Sequence, residues 1–243
     1  MNLEGKVALV TGGAHRVGRS IVLALAEKGC DVMVHFHEAG TESEQTVRQA
    51  ADRGVQAQGI QADLRDHAGI GHLFDEVDRL AGGLDVLVNS AAVLEPVDLL
   101  AATEADWAST LDLNLRAAFF CLQAAARRMQ ARGGGAVVNI SDVAGQRPWR
   151  RYPLHSISKA GLDMLTRTAA LALAPTIRVN GVAPGPVEKP SRLSEERWLE
   201  IGRVLPLGRP GVAADVAAAV IFCLENDYLV GETLAVDGGD LIR

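Results

Sequence analysis

Residues 6–18 read KVALVTGGAHRVG, and this stretch decides the fold. Residues 6–11 form a short apolar run with no polar alternation, the pattern of a parallel strand covered on both faces. The run passes directly into Gly12 and Gly13. A helical pattern over residues 16–28 follows, with Ile21, Val22 and Leu25 on one side and Gly29 as the stop. Strand, glycine turn and helix N-terminus together let a backbone approach a pyrophosphate, whose charge the helix end stabilises. Thr11, Gly12, His15, Arg16, Val17 and Gly18 are therefore candidate dinucleotide-binding residues, with a plain βα loop as the bland alternative.

Working outward, further strand patterns lie at 31–36, 55–62, 84–89, 136–140, 177–182 and 233–236. Helical patterns lie between them at 41–53, 66–81, 103–131, 152–174, 194–204 and 212–224. Asp66 is placed as a helix cap, and Thr103 with Asp106 as a capping box. Strict alternation implies right-handed crossovers and one parallel sheet. The expectation is an α/β, Rossmann-type doubly wound sheet of about seven strands with helices on both faces, forming one domain over 1–243. Ligands of such sheets sit beyond the carboxyl ends of the strands.

The bulk numbers narrow the class. A chain of 243 residues, 48% hydrophobic, needs no metal or disulfide to fold. Three well-separated cysteines, Cys30, Cys121 and Cys223, read as reduced thiols. A net charge of −6 gives a nucleic-acid partner no electrostatic support. No apolar run approaches the roughly 18 residues of a membrane span. Strand-like sequence from Lys6 leaves no room for a signal peptide. A soluble, cytoplasmic protein is expected.

Over nearly its whole length the chain resembles the short-chain dehydrogenase/reductase family. The turn at 11–18 is similar to T-G-x-x-x-G-x-G, with Arg16 for the middle glycine as in the pteridine reductase-like subgroup. Ala62-Asp63-Leu64 is similar to the segment that contacts adenine, and Asn89-Ser90-Ala91-Ala92 resembles N-N-A-G. Asn114 and Lys159 stand where the family has its active-site asparagine and lysine. Arg178-Val179-Asn180 followed by Pro184-Gly185 matches the segment that lines the nicotinamide, with Val187 just beyond as a further candidate cofactor contact, and Asp237-Gly238-Gly239 matches the C-terminal motif. The resemblance implies an oxidoreductase with a nicotinamide cofactor, and a homotetramer as its assembly.

NADP(H) is expected over NAD(H). Selectivity for NAD usually rests on an acid about 20 residues past the glycine turn. Here that segment is His35-Phe36-His37, with Phe36 at the acid's place. Arg16 carries a permanent charge suited to a 2′-phosphate, to which His35 and His37 could add. Pairing of Arg16 with Glu38 is the competing reading. No third ligand joins His35 and His37, so no metal is expected; His67 and His72 read as solvated.

The family's chemistry uses a Tyr four residues before the Lys, and a Ser about 13 residues before the Tyr. This chain has His155 and Asp142 there. Pteridine reductase-like members also carry Asp at the second place. Residues at i and i+4 share a helix face, so His155 and Lys159 meet. A carboxylate neighbour favours the charged imidazole while a lysine opposes it. An Asp142–His155 pair can thus hold the proton that a reduced carbonyl or imine needs. Three readings stand: His155 is the acid, Tyr152 one turn earlier takes the proton, or the protein is a catalytically silent dinucleotide binder with a sensing or assembly role. Substrate contacts are expected from Leu94, Trp149, Tyr152 and Trp198. Arg147, Arg150 and Arg151 beside Trp149 suit an anionic or planar substrate if they face the pocket, and a solvated or subunit-contact patch if not. Val93-Leu94 stands where pteridine reductases place an aromatic, which weakens a pterin.

Overall fold

The computed structural model describes residues 1–38, 40–191 and 193–243. Ala39 and Arg192 lie outside the described residues. The chain runs β1 (Val7–Thr11), α1 (Arg16–Glu27), β2 (Asp31–Phe36), α2 (Thr41–Ala51), β3 (Ala57–Gln61), α3 (His67–Ala81) and β4 (Val86–Asn89). There follow α4 (Glu104–Leu111), a π-helical stretch at Asp112–Ala117, α5 (Ala118–Ala131), β5 (Gly135–Ile140) and α6 (Pro153–Leu173). The last elements are β6 (Ile177–Pro184), α7 (Glu195–Arg203), α8 (Ala213–Glu225) and β7 (Thr233–Val236).

The strands form one parallel seven-stranded sheet in the order β3-β2-β1-β4-β5-β6-β7. The doubly wound expectation holds. The order reverses at β1, whose neighbours are β2 and β4, and this opens a crevice at their carboxyl ends. β1 shows why its sequence is uniformly apolar. Val7 and Leu9 face a core with Leu73 and Phe74 of α3 and Cys121 of α5, while Ala8 and Val10 face Ile21 of α1 and Val220 of α8. Asp66 caps α3 by accepting from Ala68 N, and Thr103 with Asp106 closes the capping box of α4. Cys30, Cys121 and Cys223 are free and buried. Among the described residues no helix is long and apolar enough to cross a membrane.

Two boundaries differ in ways that shape the site. The helix expected over 103–131 carries the π-helical stretch in its middle, a wider turn of a kind often found at functional sites. Asn114 lies in that turn. The sixth strand continues to Pro184, because its last residues still pair with β7, Pro184 with Val236. Gly185 therefore leaves the sheet at its edge, and a Cβ there would sit 2.8 Å from Asp237 Cα.

Candidate active site

The glycine turn is held by its backbone. Gly12 has φ of 63°, and a Cβ on Gly18 would collide with the Gly12 carbonyl, so neither position tolerates a side chain. Thr11 is buried and accepts from Ser90 N at 3.0 Å and Ala91 N at 3.2 Å, tying the end of β1 to the end of β4. Arg16 adopts a left-handed φ of 54°, a conformation that glycine takes without strain. Its Nε donates to Glu188 Oε2 at 3.2 Å, so the arginine's partner is Glu188 in the loop after β6. Ala14, His15, Arg16, Arg19, Glu42, Glu188 and Lys189 line an open cleft of about 380 Å³ beside the turn.

Several expected cofactor residues point elsewhere. His35 is 2% exposed, and its Nδ1 accepts from Gly12 N at 3.0 Å while Nε2 donates to Ala62 O at 3.1 Å. Burial pushes its pKa down to about 4, so it adds no charge for a phosphate. Leu64 is buried in the core with Ile70 and Leu73. Asn89 donates inward, to Asn139 Oδ1 at 3.0 Å and Ala118 O at 3.2 Å. Val187 is buried against the α8 side of the core. These four shape the site from behind. Phe36 lies over Gly59, whose Cβ would come within 3.0 Å of the ring. His37 stays half exposed, with Nδ1 4.0 Å from Asp63 Oδ1, and Asp63 also accepts from Arg65 N at 2.9 Å.

The second half of the site is built from side-chain ends. Asn114 Oδ1 accepts from Val93 N at 2.8 Å, and its Nδ2 donates to Val93 O at 3.0 Å and Ser158 Oγ at 3.1 Å. His155 Nδ1 stands 3.2 Å from Val93 O and 3.4 Å from Asn114 Nδ2. Its Nε2 is 3.6 Å from Asp142 Oδ2, and Asp142 Oδ1 accepts from Ala144 N at 2.7 Å. Nδ1 thus has hydrogen-bonding neighbours, whereas the buried Nε2 faces Asp142 from beyond hydrogen-bond reach. Lys159 Nζ donates to Ile140 O at 2.7 Å; burial lowers its pKa to about 8, against the pull of Asp142 and Asp163. Asn114, Asp142, His155 and Lys159 are therefore brought together as expected.

The family comparison agrees with this geometry over the whole chain. Residues 12–240 match the family model described as enoyl-(acyl carrier protein) reductase. The 2-dehydro-3-deoxy-D-gluconate 5-dehydrogenase of Escherichia coli (strain K12) is 36% identical, across 100% of this chain and 98% of that protein. A 3-oxoacyl-(acyl-carrier-protein) reductase of Staphylococcus aureus is also 36% identical, across 96% and 97%. Among solved structures, a short-chain dehydrogenase/reductase of Serratia marcescens superposes with a TM-score of 0.93 at 30% identity, covering 99% of this chain and 100% of that one. The chain is a short-chain dehydrogenase/reductase. As such it is an oxidoreductase of a family whose members bind a nicotinamide dinucleotide.

Within this short-chain dehydrogenase/reductase, the expected substrate side has a different internal logic. Trp149 stacks on His155, with ring centroids 6.2 Å apart and planes at 21°, and Tyr152 meets the edge of Trp149 at 6.0 Å. The tryptophan thus lies between the imidazole and Tyr152 as an aromatic neighbour of both. Arg147 does not join a free basic patch: its guanidinium forks onto Asp240, with both bonds at 2.6 Å. Arg150 and Arg151 remain exposed. Leu94 is half-buried beside Val93, and Trp198 is half-buried on α7. Sequence reasoning missed Glu188, Asp240 and Ser158. The first two meet their arginines across 172 and 93 positions, and no local pattern announces such pairs. Ser158, next to Lys159, could have been found from the helix face it shares with Asn114's partner His155.

Proposed function

We propose that the protein is an NADP(H)-dependent oxidoreductase that reduces a carbonyl or a pterin-like C=N bond, with residues 1–243 acting as one dinucleotide-binding domain. The observation that carries this reading is the convergence of Asp142 and His155, 3.6 Å apart, on the side of the crevice where Lys159 is buried. A bound nicotinamide supplies the hydride to carbon. The residues present fit such a group: a glycine turn without room for side chains, and Arg16 on an open cleft, suited to a 2′-phosphate. Lys159, a cation in a dry site, suits a ribose hydroxyl. Negative charge that builds on the substrate heteroatom takes a proton from the Asp142–His155 pair. Asn114 anchors the imidazole from behind through Val93. Exposed Phe119 on α5 with Ile157, Met164 and Leu171 on α6 support assembly into a homotetramer.

One observation favours the silent-binder reading. His155 Nε2 is buried and makes no hydrogen bond, so a substrate reaches it only after a side chain moves. Active sites often tighten only around substrate, which keeps the enzyme reading ahead. NADPH oxidation against pterins, quinones and ketones, with wild type, His155→Ala and His155→Tyr, decides between them. Wild-type turnover that the Ala variant loses supports the enzyme. NADPH binding with turnover only in the Tyr variant establishes the binder.

A further inference from the structure

His35 was expected at the phosphate, yet it lies under the turn with every polar atom of its ring engaged. Gly12 N–H can only donate, so Nδ1 is the acceptor and the proton sits on Nε2, which donates to Ala62 O. The backbone of the same residue adds a third tie, since Gly13 N donates to His35 O at 2.9 Å. Gly12 leaves β1, His35 lies on β2, and Ala62 follows β3. One imidazole therefore joins three adjacent strand ends, and it does so between the two parts of the crevice a dinucleotide must span. On one side is the turn that receives the pyrophosphate; on the other is Asp63, directly after Ala62.

We infer that His35 is a positioning residue of the dinucleotide site, a neutral strut that fixes the Gly12 turn against the Ala62 carbonyl so that pyrophosphate and adenine subsites keep their separation. This rests on the dinucleotide reading proposed above. A purely apolar residue would fill the space and leave the part-buried Gly12 N–H without its partner. A lysine or arginine would place a charge where there is no water. The neutral imidazole supplies an acceptor and a donor 180° apart in role, and the neighbouring charges do not disturb it: burial holds the ring uncharged down to about pH 4, with His37 acting in the same sense and Asp63 against it.

The experiment measures NADPH binding by fluorescence for wild type, His35→Phe and His35→Asn, with kcat at saturating cofactor. Amide hydrogen exchange at Gly12 is followed by NMR in the cofactor-free protein. The Phe variant is expected to bind NADPH about tenfold more weakly at unchanged kcat, with faster Gly12 exchange. The Asn variant, whose Oδ1 stands near the place of Nδ1, is expected to recover most of both. Equal affinity in wild type and Phe variant overturns the strut while leaving the dinucleotide reading intact. Wild type that binds neither NADPH nor NADH overturns both. Should the Phe variant fail to fold, the wild-type ring decides: ¹⁵N shifts at pH 7 are expected to show Nδ1 bare and Nε2 protonated, and the reverse tautomer or a charged ring overturns the inference.

Discussion

The glycine turn and the His155 cluster each depart from the family's residues, and the two departures differ in kind. At the turn, Arg16 stands for a glycine and accepts its left-handed φ of 54°, yet the turn keeps its shape. Its own contacting atoms are backbone: Gly12 N–H to the His35 ring, Gly13 N–H to the His35 carbonyl, and Gly18 against the Gly12 carbonyl. In the cluster, His155 and Asp142 stand for Tyr and Ser, and the contacts themselves are rewritten. The imidazole is buried beside Trp149, and its outer nitrogen stands 3.6 Å from Asp142. A site made of backbone absorbs a side-chain exchange. A site made of side-chain tips becomes a different site.

The largest expected effect breaks this comparison at the cluster. Asp142→Asn keeps the cap on Ala144 N but removes the charge facing His155 Nε2. Turnover is expected to fall by about 10²–10⁴, the usual worth of a positioned acid–base group. The dissociation constant for NADPH is expected to stay within about twofold, because the turn is untouched. A matched loss in binding and turnover would mean that the two regions are not separable. Turnover that survives would remove Asp142 from the proton path.

Gly18→Ala strikes the other region. The added methyl meets the Gly12 carbonyl in a packed turn, where overpacking costs about 1–3 kcal/mol. Calorimetry is expected to show a Tm lower by several degrees, together with weaker NADPH binding. A variant as stable as wild type, binding equally well, would show that the turn is less rigid than its backbone contacts imply.

How much of this was legible depends on the range of the interactions. β1 announced itself because both its faces are buried, and α3 and α4 because their caps lie within one turn of their starts. The cluster of Asn114, Asp142, His155 and Lys159 could be placed because helical spacing brings His155 and Lys159 to one face and because motif order fixes Asn114 and Asp142. Burial was not legible. His35, Leu64, Asn89 and Val187 sit in site-like positions along the chain, yet their side chains turn inward, and a strand's period of two cannot say which face the crevice takes. The Arg16–Glu188 and Arg147–Asp240 pairs were invisible for a simpler reason: nothing in sequence correlates residues so far apart.

Lys159 sharpens the comparison by setting function against stability. Its ammonium is buried, and the folded-state pKa of about 8 lies below the unfolded 10.5. Between those values the unfolded chain binds more protons, so wild-type stability rises with pH across this window. Below pH 8 both states are charged and the net cost of the buried charge, about 3 kcal/mol after the pull of Asp142 and Asp163, is present in full. Lys159→Met removes the charge at similar volume, and the lost bond to Ile140 O offsets about 1 kcal/mol of the gain. Denaturant unfolding is expected to find the variant about 2 kcal/mol more stable at pH 7, with the gap closing by pH 10.5, while turnover collapses. A destabilised variant at pH 7 would mean that Asp142 and Asp163 compensate the buried charge more fully than its lowered pKa indicates.

The smallest expected effect on stability tests the turn's exchange directly. Arg16→Gly relieves a left-handed conformation worth about 1–2 kcal/mol and gives up an exposed ion pair with Glu188 worth about 0–1 kcal/mol. It also frees the unfolded chain, at about 0.4–1 kcal/mol. These nearly cancel, so Tm is expected to move by no more than about 3 °C. Cofactor preference should move far more. Without the guanidinium, the ratio of NADPH to NADH affinity is expected to fall by roughly tenfold, the worth of one charge-assisted contact. Binding of NADH is expected to hold, since the turn's backbone still receives the pyrophosphate. An unchanged ratio would show that Arg16 serves only to clasp the Glu188 loop, and that the strain at this position is retained for the latch and not for the phosphate.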